Sequence, residues 1–357
     1  MKWKTAVAPF GLGLLGALLY KQQQRPAAEN LAGQVVIVTG SSRGLGYLLA
    51  QEFASQGCRV VICARSEAEL TRAQIELVRC GAEVLAIPCD VADREQVQHL
   101  IDETVRHYGR IDILVNNAGI IQVGPVQAMS LDDFEQALGV MYWGILYTTW
   151  AARPHMKRRG YGRIVNVTSI GGKVSVPHLL PYNSAKFAAV ALSEGLRAEL
   201  AGEGIEVTTI IPGLMRTGSH LNAQFKGDYP KEFTWFSLGA SLPIISMDAE
   251  RAARQIVQAT RRRETERVLS WPAQILLRFH GLFPGFTTDV LHLVNTLFLP
   301  EPDADGTAVQ KGLTIQNDLS PFRYRVLWLL TTLGRRAAQE YLQLAHPPRS
   351  THEDITA

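Results

Sequence analysis

The 357-residue chain lacks what metal, disulfide and nucleic-acid chemistry require. Its four cysteines, Cys58, Cys63, Cys80 and Cys89, form no CxxC pair and have no histidine beside them. That spacing excludes a zinc site or redox pair and fits reduced thiols in a reducing compartment. Charge of one sign is also scarce: a formal net charge of +3 is too small to mark a nucleic-acid partner, which needs Lys and Arg clustered on one face. The one dense cluster, Arg261, Arg262 and Arg263, reads as a solvated helix end. Ser169 stands in no GxSxG elbow and has no evident carboxylate partner, which argues against a nucleophile scheme with His178.

Long apolar runs are absent with one exception. Residues 5–20 are uncharged and apolar, with Lys2 and Lys4 before them and Lys21 and Arg25 after. As a helix they would span ~24 Å, short of the ~30 Å hydrocarbon core. The favoured reading is a retained anchor or membrane-surface helix. A cleaved signal peptide is disfavoured because Leu19, Tyr20 and Lys21 stand where small residues are needed, and a disordered tail is the third alternative. The balanced flanking charge leaves orientation open.

What is present from Gln34 onward is a regular alternation. VVIVTG, RVVICA, EVLAIPCD, IDILVNNAG, GRIVNVTS, IEVTTIIPG and RVLSWP combine β-branched residues with a closing turn signal. Between them, stretches such as LGYLLAQEFASQG and EAELTRAQIELVRCG repeat apolar residues at three and four. The pattern predicts an α/β domain over residues 30–272, a doubly wound parallel sheet of about seven strands with helices on both faces. Residues 1–29 form an anchor and linker, 273–345 an apolar helical extension, and 346–357 a disordered tail.

Two segments invite a sharper reading. Residues 218–243, rich in aromatics (Phe225, Tyr229, Phe233, Trp235, Phe236), resemble a long loop, and loops of that length are functional or disordered. AQILLRFHGLFPGFTTDVLHLVNTLFLP is apolar but interrupted by Arg278, His280, Pro284 and Asp289. The expectation is a pair of helices packed on the domain; the alternative is a greasy flap or membrane-docking surface. Residues 301–318 read as loop and 323–344 as one last helix.

The chemistry lies between the strands. TGSSRGLG places Gly40, Gly44 and Gly46 between the first strand and a helix, where backbone N–H groups can approach a pyrophosphate at the positive end of the helix dipole. YNSAK sets Tyr182 and Lys186 four residues apart, on one face of a helix. An ammonium there favours the phenolate, whose ordinary pKa of about 10 makes it scarce at neutral pH.

With CDV at 89–91, NNAG at 116–119, Ser169 and PGLMRT at 212–217, these motifs resemble, in order, the short-chain dehydrogenase/reductase family of classical type. The resemblance covers about residues 34–217 and implies a Rossmann-like fold and an oxidoreductase. It implies Ser169, Tyr182 and Lys186 as catalytic residues, with Ser169 thirteen residues before Tyr182, as in the family. Cofactor contacts are implied at Gly40, Ser42, Arg43, Gly44, Leu45, Gly46, Asp90, Val91, Asn117, Ala118, Gly119, Tyr182, Lys186, Pro212, Gly213 and Thr217, whereas Asn116 is expected to tie strands together.

Ala64 stands where NAD-preferring members carry an aspartate, and Arg65 follows it. With Arg43 it would supply two charge-assisted partners for a 2′-phosphate, so NADP(H) is expected over NAD(H). Family analogy makes 218–243 a substrate lid, and its aromatics suggest a lipophilic alcohol or carbonyl substrate. Self-association and a membrane-attached, cytoplasm-facing domain complete the expectation. One departure stands against it: VMYWG at 140–144 puts Met141 where many members have an asparagine, which puts proton relay in doubt. The alternative is a weak or silent NADP-binding module acting through lipid or protein contacts.

Overall fold

Apolar runs buried on both faces need strand partners along both edges, because their backbone groups are cut off from water. The computed structural model describes residues 28–303 and 306–344; the apolar run at 5–20 and the tail at 346–357 lie outside the described residues. Seven strands, β1 (Val35–Thr39), β2 (Arg59–Ala64), β3 (Val84–Pro88), β4 (Ile113–Asn116), β5 (Gly162–Val167), β6 (Ile205–Ile211) and β7 (Glu266–Val268), form one sheet. Their order is β7-β6-β5-β4-β1-β2-β3 and every pairing is parallel. This is the doubly wound, Rossmann-like sheet that the sequence predicts. Strand order reverses between β1 and β4, where such sheets open a crevice at their carboxyl ends.

Eight helices follow within this domain: α1 (Gly44–Ser55), α2 (Glu67–Arg79), α3 (Arg94–Tyr108), α4 (Leu131–Leu138), α5 (Gly144–Arg159), α6 (Leu180–Leu200), α7 (Tyr229–Ser241) and α8 (Ala249–Arg261). α1, α2 and α8 bury one face of the sheet; α3, α5 and α6 bury the other. Local signals set their ends. Asp93 Oδ1 accepts the Glu95 and Gln96 N–H groups at the start of α3, and Gly109, at φ 73°, ends it.

A ladder of neutral polar side chains crosses the interior. Thr148 of α5 donates to Asn116 Oδ1 (2.7 Å), Asn116 to Asn166 of β5 (2.9 Å), and Asn166 to Ser193 of α6 (3.0 Å), whose hydroxyl meets Thr209 of β6 (2.7 Å). All five are buried. Asn116 thus ties strands to helices rather than facing the crevice.

Several expectations change in the structure. Arg261 and Arg263 are not a free solvated cluster: Arg263 Nη2 donates to Glu29 Oε2 (2.6 Å) and Arg261 Nε to the Glu29 carbonyl (3.0 Å), pinning the chain where it approaches β1. Residues 218–243 are not a loop, since α7 occupies half of them. Phe225, Phe233 and Phe236 are buried against one another, with ring centroids 5.6 and 6.0 Å apart, and anchor α7 to the C-terminal helices.

The extension also differs from expectation. Helices α9 (Trp271–Leu282) and α10 (Pro284–Phe298) form a hairpin in which the Phe279 ring meets Phe283 at a tilt and Phe286 edge-on. They do not pack their apolar faces on the domain: Trp271, Leu282, Phe286 and Phe298 each expose 60 % or more of their surface. No helix among the described residues is long and apolar enough to cross a membrane. Next come α11 (Gly312–Asp318), in a stretch read as loop, then α12 (Pro321–Leu330) and α13 (Thr332–Glu340), which split the expected last helix at Thr331.

Candidate active site

The crevice at the carboxyl end of the sheet has a volume of about 480 Å³, and all eighteen residues assigned from the sequence to cofactor or catalysis border it. Its first wall is the glycine-rich turn between β1 and α1. A Cβ on Gly46 would lie 2.1 Å from the Gly40 carbonyl oxygen, and one on Gly40 would lie 2.8 Å from Ala118 Cα. Only glycines let these backbones close. Asn117 Nδ2 holds the turn by donating to the Thr39 (3.0 Å) and Gly40 (3.2 Å) carbonyls.

The crevice fits a dinucleotide by its donors. The Leu45 and Gly46 N–H groups open α1 without a backbone acceptor among the described residues, which is the geometry that receives a phosphate. At the far rim, Arg43 forms an ion pair with Glu69, and Ser42 Oγ donates to the same carboxylate (3.3 Å). Arg65 Nη1 lies 3.9 Å from Asp90 Oδ2. Glu69 was not among the sequence candidates. It sits in the first turn of α2, whose cap Ser66 is the signal that could have placed it near the rim.

At the other end β5 delivers Ser169 and α6 delivers Tyr182 and Lys186. A Cβ on Gly171 would meet Asn183 Oδ1 at 2.7 Å, and one on Gly172 the Lys186 carbonyl oxygen at 2.6 Å, so this glycine pair lets the serine segment lie against α6. Ser169 Oγ accepts from the Gly171 N–H (3.0 Å), and Ser169 and Tyr182 border the same cavity. Lys186 Nζ donates to the Val167 carbonyl (2.9 Å) and lies 5.8 Å from the Tyr182 ring centroid. The neighbours are otherwise engaged: Thr168 Oγ1 donates to the Ile210 carbonyl (2.6 Å) and Ser184 Oγ to the Leu180 carbonyl (2.9 Å).

Burial dominates the electrostatics here. It pushes the Tyr182 phenol above its ordinary value, with the neighbouring Ser169 hydroxyl pulling the other way. It also lowers the Lys186 ammonium to about 8. The sequence predicts a lowered phenol; for the protein alone burial sets the direction, and the phenol lies above its ordinary value.

Met141 lies in a π-helical turn, Gly139–Trp143, wholly buried, and its sulfur would be 3.6 Å from a Cβ on Gly119. It packs behind the cleft and borders no part of it.

A family model described as short chain dehydrogenase matches residues 34–226, more than half of the chain. The chain belongs to the short-chain dehydrogenase family. Among similar short-chain dehydrogenases is the Dehydrogenase/reductase SDR family protein 7-like of Anopheles gambiae, 38% identical over 216 residues, covering 59% of this chain and 68% of that one. An 11-beta-hydroxysteroid dehydrogenase of Pinus massoniana is 37% identical over 187 residues, 52% of each chain. A short-chain dehydrogenase structure from Streptomyces avermitilis superposes with a TM-score of 0.63 at 30% identity, covering 74% of this chain and 95% of that one. The family's members are oxidoreductases that use NAD(P) nucleotides and act on alcohol or carbonyl substrates.

Proposed function

We propose that the protein is an NADP(H)-dependent oxidoreductase interconverting an alcohol and a ketone or aldehyde on a lipophilic substrate. The observation that carries this reading is the meeting of Ser169, Tyr182 and Lys186 in the same cleft as the glycine-rich turn. When bound, the dinucleotide supplies or accepts the hydride. The chain's own residues manage the oxygen and its proton. Ser169 Oγ donates to the substrate oxygen and fixes its position. Tyr182 gives up its proton as negative charge develops on that oxygen. Lys186, charged below about pH 8, stabilises the phenolate that remains. Burial keeps the phenol protonated, so the site holds the proton that carbonyl reduction consumes.

Two further features support the finer reading. Ile120, Ile121 and Val140 give one wall of the cleft an apolar surface, and the pine relative is named for a steroid. This replaces the aromatics of α7 as support for a lipophilic substrate. Incubation with NADPH and a panel of hydrophobic ketones should consume reduced nicotinamide. Cofactor binding without oxidation by any ketone would favour the silent module, the reading that Met141 supports.

NADP preference rests on Ala64 at the end of β2 with Arg43 and Arg65 at the rim. The double variant Arg43→Ala/Arg65→Ala should raise the KM for NADPH by about ten- to a hundredfold and leave that for NADH within about threefold. An equal loss for both cofactors would overturn the preference.

We also propose that the protein sits at a membrane face, on the strength of residues 5–20 and the uncovered apolar surface of α9 and α10, with its cleft toward the cytoplasm because its cofactor requires a compartment that holds NADPH. The full chain should co-sediment with phosphatidylcholine vesicles, and Leu282→Glu/Phe286→Glu should weaken this at least fivefold. A full chain that stays in the supernatant sinks the placement. Exposed Trp150 of α5 and Phe187 of α6 support self-association through those helices.

A further inference from the structure

The last described residues return to the glycine-rich turn. Ala338 of α13 packs so closely on Gly218 that a Cβ there would lie 2.4 Å from the alanine methyl. Beyond α13, Tyr341 is buried, and its carbonyl accepts the Gly44 N–H (2.7 Å) at the first position of α1. Arg72 of α2 donates to the Leu342 (2.7 Å) and Leu344 (2.5 Å) carbonyls. Residues 338–344 thus form a strap clamped from α1, α2 and the segment after β6.

The strap carries one side chain into the cleft. Gln343 is 9 % exposed and borders the same cavity as Tyr182 and the glycine-rich turn. Asn222 Nδ2 donates to both its carbonyl oxygen (3.0 Å) and its Oε1 (2.8 Å). This fixes the side-chain amide: the oxygen faces Asn222 and Nε2 faces Gly44. A Cβ on Gly44 would lie 2.6 Å from Nε2, so the glycine, at φ 59°, makes room for it. Among the described residues, Nε2 has no acceptor. It stands against Gly44, the residue before the Leu45 and Gly46 N–H groups, which also have no acceptor among the described residues and border the same cavity.

Three sets of unpaired donors at one point call for an anion. We infer that Gln343 is a cofactor-binding residue, donating from Nε2 to the pyrophosphate of the bound dinucleotide beside the first N–H groups of α1, so that the C-terminal strap is one wall of the cofactor site. This rests on the cofactor reading given under Proposed function. Asn222 acts one step back, as the residue that sets the amide's orientation.

The experiment uses the full chain and NADPH, with affinity measured by titration and apo-protein melting recorded for each variant. Gln343→Ala should weaken NADPH binding about tenfold, and Gln343→Glu, which replaces the donor with a carboxylate of the same shape, about a hundredfold. Apo melting should stay within about 2 °C of wild type. Wild-type affinity in both variants overturns the inference while leaving the cofactor reading intact. Tighter binding in Gln343→Ala overturns it too, because the side chain would then obstruct the site. Weakening matched by a fall in apo melting would assign Gln343 a structural role and likewise overturn it. A wild-type protein that binds neither NADPH nor NADH overturns the cofactor reading itself.

Discussion

Tyr182→Phe should lower kcat for ketone reduction by about a thousandfold, the middle of the range for loss of a positioned proton donor, while NADPH affinity changes less than about threefold. The substitution removes one oxygen and keeps the ring. Ser169 Oγ retains its hydrogen bond from the Gly171 N–H (3.0 Å), and the glycine-rich turn is untouched. The decisive comparison is single-turnover rate against binding, measured on the same preparation. A variant within tenfold of wild-type turnover would remove Tyr182 from the chemistry, and a parallel loss of cofactor affinity would recast it as a binding residue.

Lys186→Met should lower turnover by at least about a hundredfold and yet give an apo-protein more stable than wild type at pH 7. The lysine folds with its ammonium at about 8 against an ordinary 10.5, because it is buried. Between those values the unfolded chain binds more protons than the folded one, so wild-type stability rises with pH across that window. Below about pH 8 the full penalty of the buried charge is present, about 3 kcal/mol for a shift of this size. Methionine fills the stem's volume without the charge but gives up the hydrogen bond to the Val167 carbonyl (2.9 Å), worth about 1–2 kcal/mol. The net gain at pH 7 should be about 1–2 kcal/mol, or ~2–4 °C in melting temperature. It should vanish and reverse as pH passes 10.5. Denaturation of both proteins at pH 7 and pH 10.5 checks this; a variant less stable at pH 7 by a margin independent of pH sinks it.

The sheet and its motifs were legible because their signals are local. Each apolar run from VVIVTG to RVLSWP carries its own turn, and the spacing in YNSAK places Tyr182 and Lys186 on one face of any helix. What the sequence could not carry depends on depth or on distant chain. The aromatics of α7 were visible, but nothing nearby says whether Phe233 faces a substrate or Phe225. The apolarity of α9 and α10 was equally plain, while its exposure depends on what lies opposite. The charge relation of Lys186 to Tyr182 follows from spacing; the desolvation that raises the phenol depends on packing by residues far along the chain. Gln343 lies about 300 residues from Gly44, and no pattern in either segment announces their meeting.

The ladder from Thr148 through Asn116, Asn166 and Ser193 to Thr209 has a bearing on measurement. It locks β5, which carries Ser169, to α6, which carries Tyr182, and none of its members gains or loses a proton in the working range. Acid or base can therefore change the charge of the reacting groups without loosening this lock between them. A pH–rate profile of this enzyme should read as a titration of Tyr182 and Lys186, with the frame between them as a fixed ruler.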